Sequence, residues 1–230
     1  MKSIIIYSTK DEVISLQLVN KIVSHDYLKN YKIDIILTNP NFMRKFKILV
    51  VMIFFGSIKD LFLRIRNKVS IHQIIRENKN CRLIENLEDK NYEFGLSVYC
   101  SSKIKIEKFK IYNFHLGSLY NQRGSFIFFY KFIKNWDKIS LTFHEISSRF
   151  DVGRIINERV IKLKNNCFAT DIFFAYLENL DFLIDSIKKI NNHEYKEYKE
   201  FTKLNLVPSF YKLITGIFIF YLRKLKINKV

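Results

Sequence analysis

The chain has 230 residues, 48% of them apolar, which is enough to fill the core of one domain and excludes disorder over most of its length. Its formal net charge is +17, from 39 basic and 22 acidic residues, so nucleic acid, an anionic membrane surface and an anionic substrate are the partners that this charge admits. Three scattered cysteines (Cys81, Cys100, Cys167) with no CxxC pair argue against a zinc ribbon and a disulfide framework, and suit a reduced cytoplasmic setting.

The first elements follow a strand, helix, strand order. Residues 3–8 (SIIIYS) are short and β-branched, as a buried strand requires. The same run is too short for the apolar region of a signal peptide before Asp11 and Glu12. Residues 11–25 place Val13, Leu16, Val19 and Val23 near helical spacing, with Asp11 as cap. Residues 33–38 (IDIILT) read as a second buried strand, closed by Asn39-Pro40. Such a start marks an α/β fold with an open, mostly parallel, Rossmann-like sheet and helices on both faces.

Residues 41–68 are basic and apolar together and read as helical around Gly56; residues 70–79 read as another helix, and 81–84 return to the sheet. Strands follow at 94–100 and 110–115. Residues 125–134 have helical spacing. Residues 139–146 and 154–163 alternate with strand period. Residues 170–190 read as one long helix, capped by Thr170 and Asp171, with Phe173, Leu177, Leu180, Ile184 and Ile187 as its buried stripe. Residues 1–190 thus read as one catalytic-domain-sized unit, and 191–230 as a charged linker followed by an apolar, basic, helical tail. Two stretches, 48–58 and 213–222, are free of charge, but a membrane-spanning helix needs about 18–20 such residues.

The charge is uneven. Residues 41–68 hold seven basic residues against one acidic, and 201–230 hold six against none. A basic, aromatic, apolar pair of segments is what a peripheral membrane surface recognises, so the charge points away from nucleic acid. A homodimer is also compatible with it.

The chemistry-bearing segment is 111–156. Asn113 and His115 are two apart at a strand's end, so they point to one face, where α/β sheets bind ligands. Asp151 follows in a Ser-Ser-Arg-Phe-Asp-Val-Gly loop. An amide that donates to an oxyanion, an imidazole that takes a proton and a carboxylate that orients either make a set for acyl transfer. The same residues also serve as loop caps and turn formers in other proteins. Arg123, Arg149 and Arg154 flank the segment, and Phe126, Phe128, Phe129, Tyr130 and Phe132 form an aromatic stripe that reads as core.

Asn113-Phe-His115, Leu116-Gly-Ser-Leu119, Arg123-Gly124 and Asp151-Val-Gly153 together resemble the formyltransferases that use 10-formyltetrahydrofolate. The spacing agrees without gaps, and the resemblance covers about residues 1–190, most strongly 94–163. It implies a one-carbon (formyl) transferase with 10-formyltetrahydrofolate as co-substrate and no metal. It further implies that Asn113 stabilises an oxyanion, that His115 is the acid/base and that Asp151 orients His115 or a water. His144 would meet Asp151 in support. Gly117, Arg123 and Gly124 would line the substrate side, and the 97–104 and 147–152 loops the pterin pocket.

The sequence departs from the family at Gly117, where Ser is usual, and at Tyr120, where Pro is usual. Ser8-Thr9-Lys10-Asp11 lacks the glycine-rich phosphate loop of glycinamide ribonucleotide formyltransferases. Only some 40 residues follow residue 190, short of the barrel of methionyl-tRNA formyltransferases, and the regulatory domain of the formyl-folate hydrolases is not recognised. Elimination leaves a small-molecule amine on an amino sugar, often nucleotide-linked. The alternative is a non-catalytic, formyltransferase-like scaffold at a membrane surface.

Overall fold

The structure is a computed structural model that describes all residues except 11–12, 57–68, 89, 101, 106–107, 165–166, 193–194, 196–201 and 228–230. Its β-branched runs pair as expected. The first strand is β1 (Lys2–Thr9), followed by α1 (Val13–Val23), β2 (Tyr31–Thr38), α2 (Phe42–Phe55), α3 (Ile71–Glu77), β3 (Cys81–Leu83) and β4 (Phe94–Val98). Then come β5 (Ile111–Leu116), α4 (Ile127–Lys134), β6 (Lys138–Glu145), β7 (Ile155–Lys162), α5 (Ala169–Glu178), α6 (Leu180–Lys188) and α7 (Phe210–Ile227).

The seven strands form one sheet in the order β3-β2-β1-β4-β5-β6-β7. The first five neighbours in that order pair in parallel, and β6 and β7 run antiparallel to theirs. This is the open, mostly parallel α/β sheet expected from the sequence.

Side-chain alternation gives the sheet two unlike faces. Ile4, Ile6, Ile33, Ile35, Leu96, Tyr112, Phe114, Leu141 and Phe143 join the larger core cluster, and every helix residue assigned to a core cluster lies there too. Ile5, Tyr7 and Ile111 lie in a smaller cluster closed by Ile84, Tyr92 and Phe109 from connecting segments. Among the described residues the second face is therefore covered by loops, where the sequence led us to expect helices on both.

Two local expectations are corrected. The 170–190 helix is two helices, α5 and α6, that break at Asn179. The Asn179 side chain donates to the Ala175 carbonyl and accepts from Arg159, so it competes with the helical ladder. The N-cap of α5 is also two residues earlier than expected, with Asp171 taking part in it as expected. Phe168 is the N-cap residue, its N–H donates to Asp171 at 2.6 Å, and Thr170 lies inside the helix. The helix within 41–68 ends at Phe55, where the Gly56 N–H closes on the Met52 carbonyl; 57–68 lie outside the described residues.

Candidate active site

The site forms on the loop-covered face, where β5 and β6 meet. Their antiparallel register sets Asn113 opposite His144 and His115 opposite Thr142. Alternation then turns Asn113, His115 and His144 away from the helical core, since Tyr112, Phe114 and Phe143 between them point into it. A polar set on an otherwise β-branched strand pair thus needs no special backbone.

Hydrogen bonds fix the tautomers. His144 Nδ1 lies 3.0 Å from the Glu145 carbonyl, which only accepts, so Nδ1 carries the hydrogen. His144 Nε2 is then a bare lone pair, and Asn113 Nδ2 donates to it at 3.2 Å. This orients the Asn113 amide and leaves its second N–H free to aim elsewhere. His115 Nε2 lies 3.1 Å from the Gln122 carbonyl, so that nitrogen donates and Nδ1 is the bare one. Asp151 Oδ1 faces both lone pairs, 3.9 Å from His115 Nδ1 and 3.8 Å from His144 Nε2. The cluster therefore has a place for one incoming proton between a carboxylate and two imidazole nitrogens.

The environment shifts the pKa of His144 and of Asp151. Complete burial drives the His144 pKa down to about 4, against the attraction of Asp151. Burial pushes the Asp151 carboxyl up, but His115, His144, the Gly124 N–H and Arg123 outweigh it and hold the pKa below its ordinary value. Asp151 has a left-handed backbone, φ 51°, as do Tyr99 and Phe126 at the same cavity. Such outliers collect where surrounding structure over-determines a site.

Two glycines serve these residues directly. Gly124 donates its N–H to Asp151 Oδ2 at 2.7 Å and has φ +99°. Gly117 has φ +145°, and a Cβ there would lie 2.2 Å from the Gln122 carbonyl oxygen and 2.8 Å from His115 Nε2. The glycine that departs from the usual Ser is thus what lets Gln122 reach His115.

Arg123 is placed differently from its sequence assignment. Its guanidinium donates to the carbonyls of Asp151, Phe150 and Thr202 at 2.8–3.0 Å, so it clamps two loops together. Arg149 is exposed at the cavity, and Arg154 stacks over Tyr195. The aromatic stripe is buried, as expected of core, with Phe126 and Phe128 also reaching the cavity wall.

A cavity of about 650 Å³ contains Asn113, His115, His144 and Asp151 in its wall. That volume is in the range of small-molecule sites. Residues 97, 99, 100, 102–105 and 146–151 supply much of the rest, near the two loops that the resemblance assigned to a pocket. The sequence missed three participants. Gln122 is buried and accepts the N–H groups of Ser118 and Ser140 while donating to the Lys138 carbonyl, which shapes the loop under His115. Arg44 of α2 and residues 204–207 also line the cavity. Asn205 binds the Arg123 backbone through both its N–H and its side chain, and accepts from Ser125 and Lys134, so the tail is tied to the site. Among the described residues, no group of three or more His, Cys, Asp or Glu is placed to hold a metal ion.

No family model and no curated protein matches the sequence. Solved structures do match the fold. The sugar 3N-formyltransferase WlaRD, solved with dTDP and 5-N-formyl-THF, shares 18% identity at a TM-score of 0.58, over 98% of this chain and 81% of its own. An N-formyltransferase from Helicobacter canadensis, in complex with folinic acid and dTDP-3-aminofucose, gives 18% and 0.60 over 98% and 82%. A 4-N formyltransferase from Francisella tularensis gives 17% and 0.54 over 90% and 76%. The chain has the α/β fold of these sugar N-formyltransferases.

Proposed function

We propose that this protein transfers a formyl group from 10-formyltetrahydrofolate to the primary amine of an amino sugar, most plainly a nucleotide-linked one. The observation that carries this reading is the convergence of Asn113, His115 and Asp151 in one cavity, on a fold shared with sugar N-formyltransferases. The cavity suits such a donor in volume and in donor set. The formyl group supplies an electrophilic carbonyl, and the chain's residues do the rest.

Asn113, held by His144, directs its second N–H at the carbonyl oxygen on which charge develops. His115 Nδ1 takes the proton of the attacking amine, keeping its Nε2–H on Gln122. Asp151, held in place by the Gly124 N–H, then pairs with the imidazolium, which gives its proton to the folate nitrogen as the oxyanion collapses and the bond from that nitrogen to the formyl carbon breaks. A phosphate cradle at the first loop finds no support. Ser15 Oγ already contacts Ser8 Oγ and both the N–H and the carbonyl of Thr9, so those groups are occupied. The basic, apolar segments 41–68 and 201–230 support a peripheral membrane contact in addition.

The test is to incubate the protein with 10-formyltetrahydrofolate and a panel of nucleotide-linked amino sugars. Tetrahydrofolate release that depends on an amine acceptor supports the reading. Release without any acceptor indicates a hydrolase, and no release with any acceptor removes the enzyme reading.

A further inference from the structure

Helices α2 and α7 each carry apolar residues on two sides. One side is core: Met52 and Phe55 of α2, Leu213 and Phe220 of α7. The other is exposed. On α2 it runs through Phe42, Phe46, Leu49 and Ile53, and on α7 through Tyr211, Ile214 and Phe218, spaced three, four or seven apart so that each set lies on one helical face.

The helices lie side by side and in the same direction. Phe46 meets Phe210 at 5.9 Å between ring centroids, and one end further on Phe55 meets Phe220 at 4.9 Å while Tyr221 donates to the Phe54 carbonyl. Phe46, Phe54, Phe210 and Tyr221 are themselves 40–46% exposed, so the seam between the helices reaches the surface. Joined across that seam, the two stripes make one apolar strip about 17 Å long, the helical rise from Phe42 to Ile53. Monomeric soluble proteins rarely leave such a strip uncovered.

The charge around the strip selects its occupant. α2 carries Lys45 and Lys47, α7 carries Lys212 in its first turn, and neither helix contains an acidic residue. A second copy docked face to face would set these cations against their own kind. A surface that is apolar inside and anionic outside matches both properties. No helix of the described residues is long and apolar enough to cross a membrane, so the contact lies along the surface.

The strip also borders the site. Arg44 lines the cavity from α2, and Leu206 and Val207, exposed just before α7, line it as well. We propose that the α2–α7 face seats the protein on an anionic lipid bilayer with the cavity mouth at the lipid boundary. This rests on the peripheral-contact reading above, and it names the surface and the lipid charge.

The test is cosedimentation of the full chain with vesicles of phosphatidylglycerol and phosphatidylcholine, against phosphatidylcholine alone and no vesicles. The expected result is binding to the anionic vesicles only, weakened by salt. Ile53→Glu combined with Phe218→Glu should lower the bound fraction about tenfold or more, as should Lys212→Glu in part, with the thermal midpoint unchanged. No binding by the intact protein overturns the contact altogether. Undiminished binding by the Ile53→Glu, Phe218→Glu variant overturns this face while leaving the contact standing. A dimer that the same substitutions convert to monomer, without loss of vesicle binding, assigns the face to a second copy and overturns the proposal.

Discussion

The Asn113 amide and the His144 ring hold each other in one orientation: Asn113 Nδ2 donates at 3.2 Å to a His144 Nε2 that has no hydrogen of its own. Protonating His144 would turn that acceptor into a donor facing a donor. Burial, which drives the His144 pKa down to about 4, keeps this from happening at neutral pH. The amide to which we assign the oxyanion role is thus aimed by a histidine that stays neutral.

Replacing Asn113 by Ala removes that donor while leaving the cavity wall intact. We expect kcat to fall about 10²–10³-fold, the usual loss of one oxyanion donor. Folate affinity, read by fluorescence titration, should change little, since the amide acts on charge that develops later.

The depressed pKa of His144 makes stability depend on pH in a defined window. The unfolded chain protonates this histidine near its ordinary value of 6.5, and the folded one only near 4. Below 6.5 the unfolded state binds the extra proton, so stability falls as pH drops from about 6.5 to about 4, by up to about 3 kcal/mol. Urea titrations of the wild type and His144→Gln at pH 7 and near pH 4.5 read this directly. The wild type should lose more stability between the two than the variant.

A second, more acidic window belongs to Asp34. Its buried carboxylate pairs with Arg82 at 2.7 Å and Lys90 at 3.0 Å and accepts from Tyr92 at 2.6 Å. Burial opposes the charge, but these partners bring the pKa down to about 2. The stabilisation is complete above about pH 4 and is lost as pH falls through 2, an amount of about 2–3 kcal/mol. Asp34→Asn should therefore be less stable at neutral pH and show a shallower loss than wild type below pH 4. Since the His144 window closes where this one opens, the two substitutions separate along the pH axis.

Gly117→Ala tests the loop beneath His115. The new Cβ falls 2.2 Å from the Gln122 oxygen at a backbone φ of +145°, so the loop must shift. We expect a loss of about 1–3 kcal/mol in stability. Activity should fall with it, because Gln122 anchors His115 Nε2. Full activity with unchanged stability would show that the loop geometry is not required.

Much of the fold was legible because its signals are local. Ile4-Ile5-Ile6 and Ile33-Asp34-Ile35-Ile36 read as strands, and strand alternation alone placed Asn113 and His115 on one face. Asp151 reached them through a loop motif. What escaped the sequence depends on contacts between distant residues. Gln122 has no motif around it, and its value comes from Ser118, Ser140 and Lys138 converging on one amide. Asn205 joins the site across some eighty residues, through the Arg123 backbone, so a tail that read as periphery became part of the cavity wall. Arg123 stands on the substrate side by resemblance, but three of its N–H groups donate to the carbonyls of Phe150, Asp151 and Thr202, contacts that no local motif announces. Asn179 split a continuous apolar stripe into two helices, which periodicity could not show.

The central claim is that Asn113, His115 and Asp151 together perform formyl transfer to an amine. Its most direct test is mass spectrometry of a nucleotide-linked amino sugar after incubation with 10-formyltetrahydrofolate and wild-type, His115→Ala or Asp151→Asn protein. The account predicts a formylated sugar with wild type and a loss of about 10²-fold or more with either variant, both remaining folded. Equal product from wild type and variants would contradict it.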